Sequence, residues 1–210
     1  MESFRASVAL RRPAAAWDYL ELRPIDYFAP LPLTKLFPTD QPLTVDLGCG
    51  EGSFLVELAK RHPEQNFLGV ERQNYRVRKV CKKAWKAQLT NLRVIKIESE
   101  FFIRQMLLPG SISRLFLLFA DPWPKARHHG RRVVQPSFLK AVTRVLAPEG
   151  EFLIKTDHAE YFTHIEEEIA RFNGFDETRW PDNPTYPMTD FETLFVSQGL
   201  PIYSTRLTKR

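Results

Sequence analysis

Cysteine is scarce in this chain, and long apolar stretches are missing from it. Cys49 and Cys81 are the two cysteines in 210 residues, which excludes a disulfide framework and a cysteine-rich zinc site. No apolar run approaches the ~18–20 residues that a transmembrane helix needs. Residues 1–12 also lack the apolar segment of a secretion signal. We therefore expect a cytoplasmic protein with no membrane partner and no metal site.

The chain is long enough for one domain with a buried core. Residues 1–41 are rich in proline and arginine and show no sustained period, so we predict an N-terminal arm there. From Leu43 onwards, short apolar runs alternate with helical patterns, which is typical of a doubly wound α/β sheet. We therefore predict that residues 42–210 form one α/β domain.

Apolar periodicity places the individual elements of this domain. The predicted strands are Leu43–Leu47, Phe67–Glu71, Leu92–Ile97, Arg114–Phe119, Glu151–Lys155, Phe175–Thr178 and Ile202–Leu207. The predicted helices are Ser53–Arg61, Asn74–Gln88, Pro136–Leu146 and Tyr161–Phe172. The segment between Thr178 and Gly199 is predicted to be irregular.

Positive charge is concentrated in two segments of a chain whose net charge is +5. The first begins just before the predicted helix Asn74–Gln88 and continues through it, where it fits either a solvated face or an anion site. Its cations are Arg72, Arg76, Arg78, Lys79, Lys82, Lys83 and Lys86. The second lies in a loop punctuated by proline and glycine, where a phosphate-facing role is favoured. It contains Lys125, Arg127, Arg131 and Arg132 with His128 and His129.

A glycine-rich loop joins the first predicted strand to the first predicted helix. Gly48, Gly50 and Gly52 follow Asp46 in the sequence Asp-Leu-Gly-Cys-Gly-Glu-Gly. A dinucleotide loop has the pattern G-x-G-x-x-G, and here the third glycine comes one residue early, which disfavours a dehydrogenase. A carboxylate beside the loop suits a ligand with ammonium and sulfonium groups better than pyrophosphate. The pattern is typical of S-adenosylmethionine enzymes.

Acidic residues follow the next two predicted strands. Glu71 ends the second strand, where a carboxylate can accept hydrogen bonds from both ribose hydroxyls of a nucleoside. Glu98 and Ser99 follow the third strand, at the fold position where adenine edges are usually contacted. With the glycine loop, these residues predict a nucleoside-containing cofactor.

The fourth predicted strand leads into the sequence Asp-Pro-Trp-Pro-Lys at residues 121–125. The two prolines restrict the backbone and stiffen the turn that carries Asp121. Ligands bind at the carboxyl edge of such sheets, so Asp121 is a candidate catalytic residue. Trp123 offers a plane for a base to stack on, or packs beneath the loop.

Residues 121–132, Asp-Pro-Trp-Pro-Lys-Ala-Arg-His-His-Gly-Arg-Arg, resemble the signature of the bacterial-type tRNA (guanine-N7)-methyltransferase family. Lys155-Thr156-Asp157 with Tyr161, and Thr189-Asp190-Phe191-Glu192, agree in order and spacing. The resemblance runs from about Val45 to the C-terminus. It implies a Rossmann-like class I methyltransferase fold of seven strands, with the last antiparallel. It also implies S-adenosylmethionine as methyl donor and the variable-loop guanine of tRNA, at tRNA position 46, as target.

The resemblance also assigns residues. Asp121 matches the proposed catalytic aspartate and is expected to lie at the cofactor. With the loop glycines and Ser99, the expected cofactor set is Asp46, Gly48, Gly50, Glu71, Glu98, Ser99 and Asp121. With the loop cations, the expected substrate set is Lys125, Arg127, Arg131, Arg132, Asp157, Thr189, Asp190, Phe191 and Glu192. The family usually has Glu in place of Asp46, and commonly Asn-Ala or Asp-Ala in place of Glu98-Ser99.

Methylation of guanine N7 makes few demands on the protein, because N7 carries an exposed lone pair and no proton. Catalysis then needs positioning and stabilisation of positive charge, for which Asp121 and Asp157 both qualify. An exocyclic-amine methyltransferase is the nearest alternative, although it would carry Asp/Asn-Pro-Pro-aromatic at the turn. A non-catalytic tRNA-binding subunit is the other. We expect tRNA as partner, no obligatory protein partner, and a monomer or homodimer.

Overall fold

An eight-stranded sheet forms the centre of the protein in a computed structural model, which describes residues 15–178, 180 and 186–210. The strands are β1 (Glu21–Leu22), β2 (Leu43–Leu47), β3 (Asn66–Glu71), β4 (Leu92–Lys96), β5 (Ile112–Leu118), β6 (Leu146–Thr156), β7 (Phe175–Thr178) and β8 (Tyr203–Lys209). Their order is β1-β4-β3-β2-β5-β6-β8-β7. Paired strands are parallel from β1 to β6, and β8 is antiparallel to β6 and β7. The predicted Rossmann-like fold with an antiparallel last strand is confirmed.

The predicted count of seven strands is wrong, because the segment predicted as an arm contributes β1. Glu21 pairs with Val94 and Leu22 with Ile95 of β4. Leu20 and Leu22 are buried, and the Trp17 ring meets the Trp85 ring edge-on. A two-residue strand has no period for sequence analysis to detect. Residues 1–14 of the predicted arm lie outside the described residues, and the domain boundary at residue 41 stays a prediction.

Helices cover both faces of the sheet. On one face lie α1 (Ser53–Arg61) and α2 (Asn74–Lys86). On the other lie the short α3 (Ser99–Phe101) with the π-helical turn Phe102–Met106, α4 (Pro136–Val145) and α5 (Ala159–Phe172). Core residues alternate along β5, with Leu115 and Leu117 facing one layer and Phe116 the other. Within the described residues, no helix is long and apolar enough to cross a membrane.

Helix α6 (Asp190–Ser197) corrects the prediction of an irregular segment before Gly199. Its N-cap is Thr189, whose Oγ1 accepts a hydrogen bond from the Glu192 amide at 2.9 Å. Thr-x-x-Glu before apolar residues is a known helix-start pattern, so the sequence contained the signal. Residues 179 and 181–185 of this segment lie outside the described residues.

Other element ends differ from the predictions by a few residues. Helix α4 ends at Val145 because strand β6 begins directly at Leu146 instead of Glu151. The β5–β6 pairing shifts register between Ile112 and Arg114, which accommodates the extra residues of β6. The extra residues include Glu149, with a φ of 58°. Helix ends of this kind are weakly specified by apolar periodicity.

Gly69 of β3 is required by close packing beneath the glycine loop. A Cβ atom there would lie 2.8 Å from both Cys49 Sγ and Leu55 Cδ2. We predict that Gly69→Ala lowers the free energy of unfolding by about 1–3 kcal/mol, because overpacking forces these neighbours apart. Urea unfolding measures this change. Gly130→Ala is the matched control, since nothing lies within 4 Å of its added Cβ. Equal losses in the two variants would contradict the packing argument.

Candidate active site

The carboxyl ends of β2 and β5 border a cleft of about 780 Å³. The chain order reverses here, since β3 lies on one side of β2 and β5 on the other. Such switch points are the usual ligand sites of open α/β sheets. The cleft lining includes all seven predicted cofactor residues, Asp46, Gly48, Gly50, Glu71, Glu98, Ser99 and Asp121.

The glycine loop is held against β3 and α2. The amides of Gly48 and Cys49 both donate to the Val70 carbonyl, at 2.8 and 3.0 Å. Gly52 has a φ of 75°, and a Cβ there would lie 2.7 Å from both methyl groups of Val80. Only glycine combines this left-handed backbone with such close packing. The loop therefore has a defined shape at the floor of the cleft.

Two acidic side chains, Asp46 and Glu71, are buried next to this loop. The Glu71 carboxylate accepts hydrogen bonds from the amides of Gly50 at 3.1 Å and Gln73 at 2.7 Å, and Arg76 lies 3.8 Å away. Among the described residues, no donor contacts the Asp46 carboxylate. Burial, and then repulsion by Glu71, raises the pKa of Asp46 to about 7. The cleft therefore favours a cationic group beside Asp46.

Glu98 has a structural contact that its position after a predicted strand did not indicate. Its carboxylate caps α3 by accepting hydrogen bonds from the amides of Glu100 at 2.9 Å and Phe101 at 2.7 Å. Glu98 and Ser99 still line the cleft. The expected contact of these two residues with adenine stays a prediction.

The turn that carries Asp121 is strained on both sides. Phe119 has a φ of 55° and Trp123 a φ of 45°, which are unusual for large side chains. The Asp121 carboxylate is exposed and accepts a hydrogen bond from the Trp123 amide at 3.1 Å. Strained backbone of this kind is concentrated at functional sites. Trp123 is half-buried, and the Arg131 guanidinium lies 5.0 Å from the centre of its ring.

Arg132 anchors this turn from below. Its side chain is 2% exposed and donates to the Pro122 carbonyl and to Glu160, both at 3.0 Å. Its guanidinium also lies over the Tyr161 ring at 5.3 Å. The structure therefore places Arg132 inside the protein, apart from the exposed Lys125, Arg127 and Arg131 of the same predicted loop. The segment Ala126–Arg131 forms a 3-10 helix.

Helix α6 closes one side of the cleft. Thr189, Asp190 and Phe191 line it, and the Asp190 carboxylate accepts a hydrogen bond from Ser53 Oγ at 2.8 Å. The Phe191 ring is half exposed and lies 6.3 Å from the Phe119 ring. Neither Ser53 nor Phe119 belongs to a charge or glycine pattern that would have indicated a function from sequence.

Six predicted substrate residues do not line the cleft: Lys125, Arg127, Arg131, Arg132, Asp157 and Glu192. Glu192 instead forms a largely buried ion pair with Lys155 of β6, and the Lys155 ammonium lies 4.5 Å from the centre of the Trp180 ring. Asp157 follows β6 and is half-buried. The ion pair ties α6 to the sheet beside the cleft.

Neither cysteine is poised as a nucleophile. Burial raises the pKa of Cys81 to about 12 and raises that of Cys49 well above its usual value. Both thiols therefore stay protonated near neutral pH. Methylation of a pyrimidine carbon needs a cysteine nucleophile, so the site is unsuited to that chemistry.

The raised pKa of Asp46 predicts a specific pH dependence of stability. Between its ordinary value of 3.8 and about 7, the folded protein retains a proton that the unfolded chain loses, so stability falls as pH rises through this range. Asp46→Asn removes this titration. Its stability advantage over wild type should grow from pH 4 to 7 and then level off, at no more than ~4 kcal/mol.

Urea unfolding at a series of pH values measures this advantage. Its pH trend is compared with that of Asp40→Asn, which removes an exposed carboxylate. A difference between Asp46→Asn and wild type that is constant with pH would contradict the prediction.

Residues 40–205 match a protein family described as "Putative methyltransferase". A relative from Syntrophotalea carbinolica is 33% identical over 87% of this chain and 80% of its own length, and is named tRNA (guanine-N(7)-)-methyltransferase. A relative of the same name from Aeromonas hydrophila is 39% identical over 78% of this chain and 71% of its own length.

Solved structures show the same fold at low sequence identity. A 30S ribosomal A1408 methyltransferase from an uncultured bacterium has a TM-score of 0.61 at 15% identity, covering 90% of this chain and 96% of its own. A SAM-dependent methyltransferase from Aquifex aeolicus has a TM-score of 0.57 at 16% identity, covering 85% of this chain and 88% of its own. By its sequence relatives, and with this fold, the chain belongs to the tRNA (guanine-N7)-methyltransferase family.

Proposed function

We propose that this protein transfers a methyl group from S-adenosylmethionine to N7 of the guanine at tRNA position 46. One observation carries the proposal: a single cleft brings the glycine loop and its two buried carboxylates together with the Asp121 turn. The names of its relatives specify the atom that is methylated and the RNA that is modified. The cleft has a volume usual for a small-molecule site.

The residues present suit S-adenosylmethionine as the methyl donor. The Asp46 carboxylate is buried without a donor among the described residues, so a cationic ligand would stabilise its ionised form. Each oxygen of Glu71 accepts one amide hydrogen bond, which leaves lone pairs for ribose hydroxyls. When bound, S-adenosylmethionine supplies a methyl group already activated by its sulfonium.

The protein contributes to the reaction by positioning the guanine and by placing negative charge near the cation that forms. N7 needs no general base, so Asp121 serves by accepting hydrogen bonds from the guanine N–H edge or by facing the cation that forms. Asp121 lines the cleft, whereas Asp157 does not. We therefore assign the catalytic contact to Asp121 and a positioning function to Asp157. The exposed ring of Phe191 provides a surface for the base at the mouth of the cleft.

Neither alternative function is favoured. The relatives are named for guanine N7, and the turn Asp-Pro-Trp-Pro lacks the Pro-Pro-aromatic order expected for methylation of an exocyclic amine. A non-catalytic tRNA-binding subunit would not need the assembled cleft. We further propose that the protein acts in the cytoplasm as a monomer or homodimer, without an obligatory protein partner.

Product analysis tests the proposed reaction. The protein is incubated with methyl-labelled S-adenosylmethionine and unmodified tRNA, and the RNA is digested to nucleosides. Label is expected in 7-methylguanosine, and replacing the target guanine in the transcript should abolish it. Label in an N-methylated exocyclic amine, or no label at all, would refute the proposal.

We predict that Asp121→Asn lowers the rate of methyl transfer by at least ~10²-fold, the effect of losing one electrostatic stabiliser. Asparagine keeps an oxygen for the Trp123 amide, so the turn should keep its shape. Single-turnover rates with saturating tRNA measure the loss, and calorimetry should show a nearly unchanged dissociation constant for S-adenosylmethionine. A variant that turns over at nearly the wild-type rate would overturn the catalytic assignment.

Exposed and buried arginines of the 125–132 segment should behave differently. Arg127 and Arg131 are exposed, and we propose that they contact tRNA phosphates. Replacing both with Ala should weaken tRNA binding and reduce the slope of log affinity against log salt by about 1.4–1.8. Arg132→Ala should instead lower the free energy of unfolding, because it removes a buried side chain together with its hydrogen bonds to Pro122 and Glu160.

Filter binding at several salt concentrations and urea unfolding distinguish the two effects. A wild-type salt slope in the Arg127→Ala, Arg131→Ala double variant would rule out the phosphate contacts. Unchanged stability of Arg132→Ala would rule out its anchoring function.

A further inference from the structure

The charge of this protein is strongly segregated along the chain. Residues 72–97 contain nine lysines and arginines and no aspartate or glutamate. The rest of the chain contains the other 21 lysines and arginines and all 25 aspartates and glutamates, so its net charge is negative. The entire positive excess of the protein therefore comes from one segment, which comprises α2 and β4 with their flanking loops.

Helix α2 carries this charge at a cost to its own stability. Arg78, Lys82 and Lys86 are exposed and spaced four residues apart, so that like charges are neighbours on one side of the helix. Each such pair is destabilising by a few tenths of a kcal/mol. The first turn has no acidic residue, and Arg76 and Arg78 lie toward the positive end of the helix dipole. Helix stability alone does not account for this composition.

Acidic neighbours neutralise only part of this charge. Lys79 pairs with Glu51, and Arg76 lies 3.8 Å from Glu71. Within the described part of the chain, Arg78, Lys82, Lys83 and Lys86 have no ion-pair partner, and we call these four residues the α2 basic face. Exposed aromatic rings lie on the same helix, with Tyr75 52% and Trp85 40% exposed.

A groove of about 520 Å³ connects the α2 basic face with the cleft. It runs between α1 and α2. Lys60, Lys83 and Lys86 line it, together with Glu57, which pairs with Lys60. Ser53 lines both the groove and the cleft. Its hydroxyl accepts a hydrogen bond from Lys83 Nζ at 2.8 Å and donates to Asp190 of α6 at 2.8 Å. The groove thus begins where the cleft ends.

We propose that the α2 basic face and this groove bind a second stretch of tRNA phosphates, away from the 125–132 segment. The inference rests on the proposed function, because it takes the RNA in the cleft to be tRNA. When the guanine of an RNA occupies the cleft, the RNA backbone must extend past the rim of the cleft. At the rim, Ser53 borders the groove that Lys60, Lys83 and Lys86 line. Phosphates placed there would also relieve the repulsion along α2.

A pair of charge-matched variants tests the proposal. Lys82→Gln with Lys86→Gln removes two charges from the α2 basic face. Lys35→Gln with Lys140→Gln removes two exposed charges from segments packed on the opposite face of the sheet. Both variants have the same net charge. Affinity for unmodified tRNA is measured at several salt concentrations.

In the Lys82, Lys86 variant, we expect the slope of log affinity against log salt to decrease in magnitude by about 1.4–1.8. Its affinity for tRNA should fall by at least ~10-fold near 0.1 M salt. The Lys35, Lys140 variant should keep the wild-type slope. Both should keep the wild-type dissociation constant for S-adenosylmethionine, and neither should have a urea midpoint below that of wild type, which shows that each is folded.

Equal slopes in both variants would overturn the proposal, whether the slope is that of wild type or is reduced in both. In the first case the face serves another partner, such as an acidic protein, and in the second the effect is one of net charge. Failure of the proposed function is a separate result, because wild-type protein would then bind tRNA without forming 7-methylguanosine.

Discussion

The burial of two carboxylates side by side, Asp46 and Glu71, is the constraint around which the ligand site is built. Glu71 is stabilised by amides of the glycine loop and of the turn after β3, and the loop in turn bonds to the Val70 carbonyl. Asp46 has no such donor among the described residues, and burial raises its pKa to about 7. The environment of Asp46 therefore disfavours its ionised form, and a cationic ligand beside it would stabilise that form. The same arrangement favours a sulfonium-bearing nucleoside over a pyrophosphate.

The reacting edge of the cleft depends on contacts beneath and beside it. Arg132 fixes the Asp121 turn through the Pro122 carbonyl, and the turn contains strained residues that local sequence preferences would not maintain. Helix α6 is tied down at the Lys155–Glu192 ion pair and at the Ser53–Asp190 hydrogen bond. Residues far apart in the chain thereby present Asp121 and Phe191 to one cavity, which is what a methyl transfer governed by position requires.

The distribution of charge separates the small-molecule site from the surfaces proposed for RNA. The buried charged groups that line the cleft, Asp46 and Glu71, are acidic, whereas two clusters of exposed cations lie on the 125–132 segment and on α2. Acidic residues in the cleft suit the cationic donor, and cations outside it suit the phosphate backbone. Both interactions are electrostatic. Only the binding of phosphates by exposed cations should weaken strongly with salt, because salt screens exposed charges much more than buried ones.

Local sequence patterns predicted the doubly wound α/β sheet, its seven longer strands, the glycine loop with Asp46 and Glu71, and the turn with Asp121. The resemblance to a known family added the Rossmann-like class I fold with its antiparallel last strand. These patterns are the apolar period, the spacing of glycines and the placement of prolines and acidic residues at strand ends. Which charged side chains are free to contact a substrate depends on the tertiary structure. Arg132 and Glu192 were predicted from sequence as substrate contacts. In the structure the Arg132 side chain is buried and bonded to the Pro122 carbonyl, and Glu192 pairs with Lys155. Burial and ion pairing depend on residues that are distant in the chain, so the residues next to a charged side chain in sequence do not indicate whether it is buried or paired.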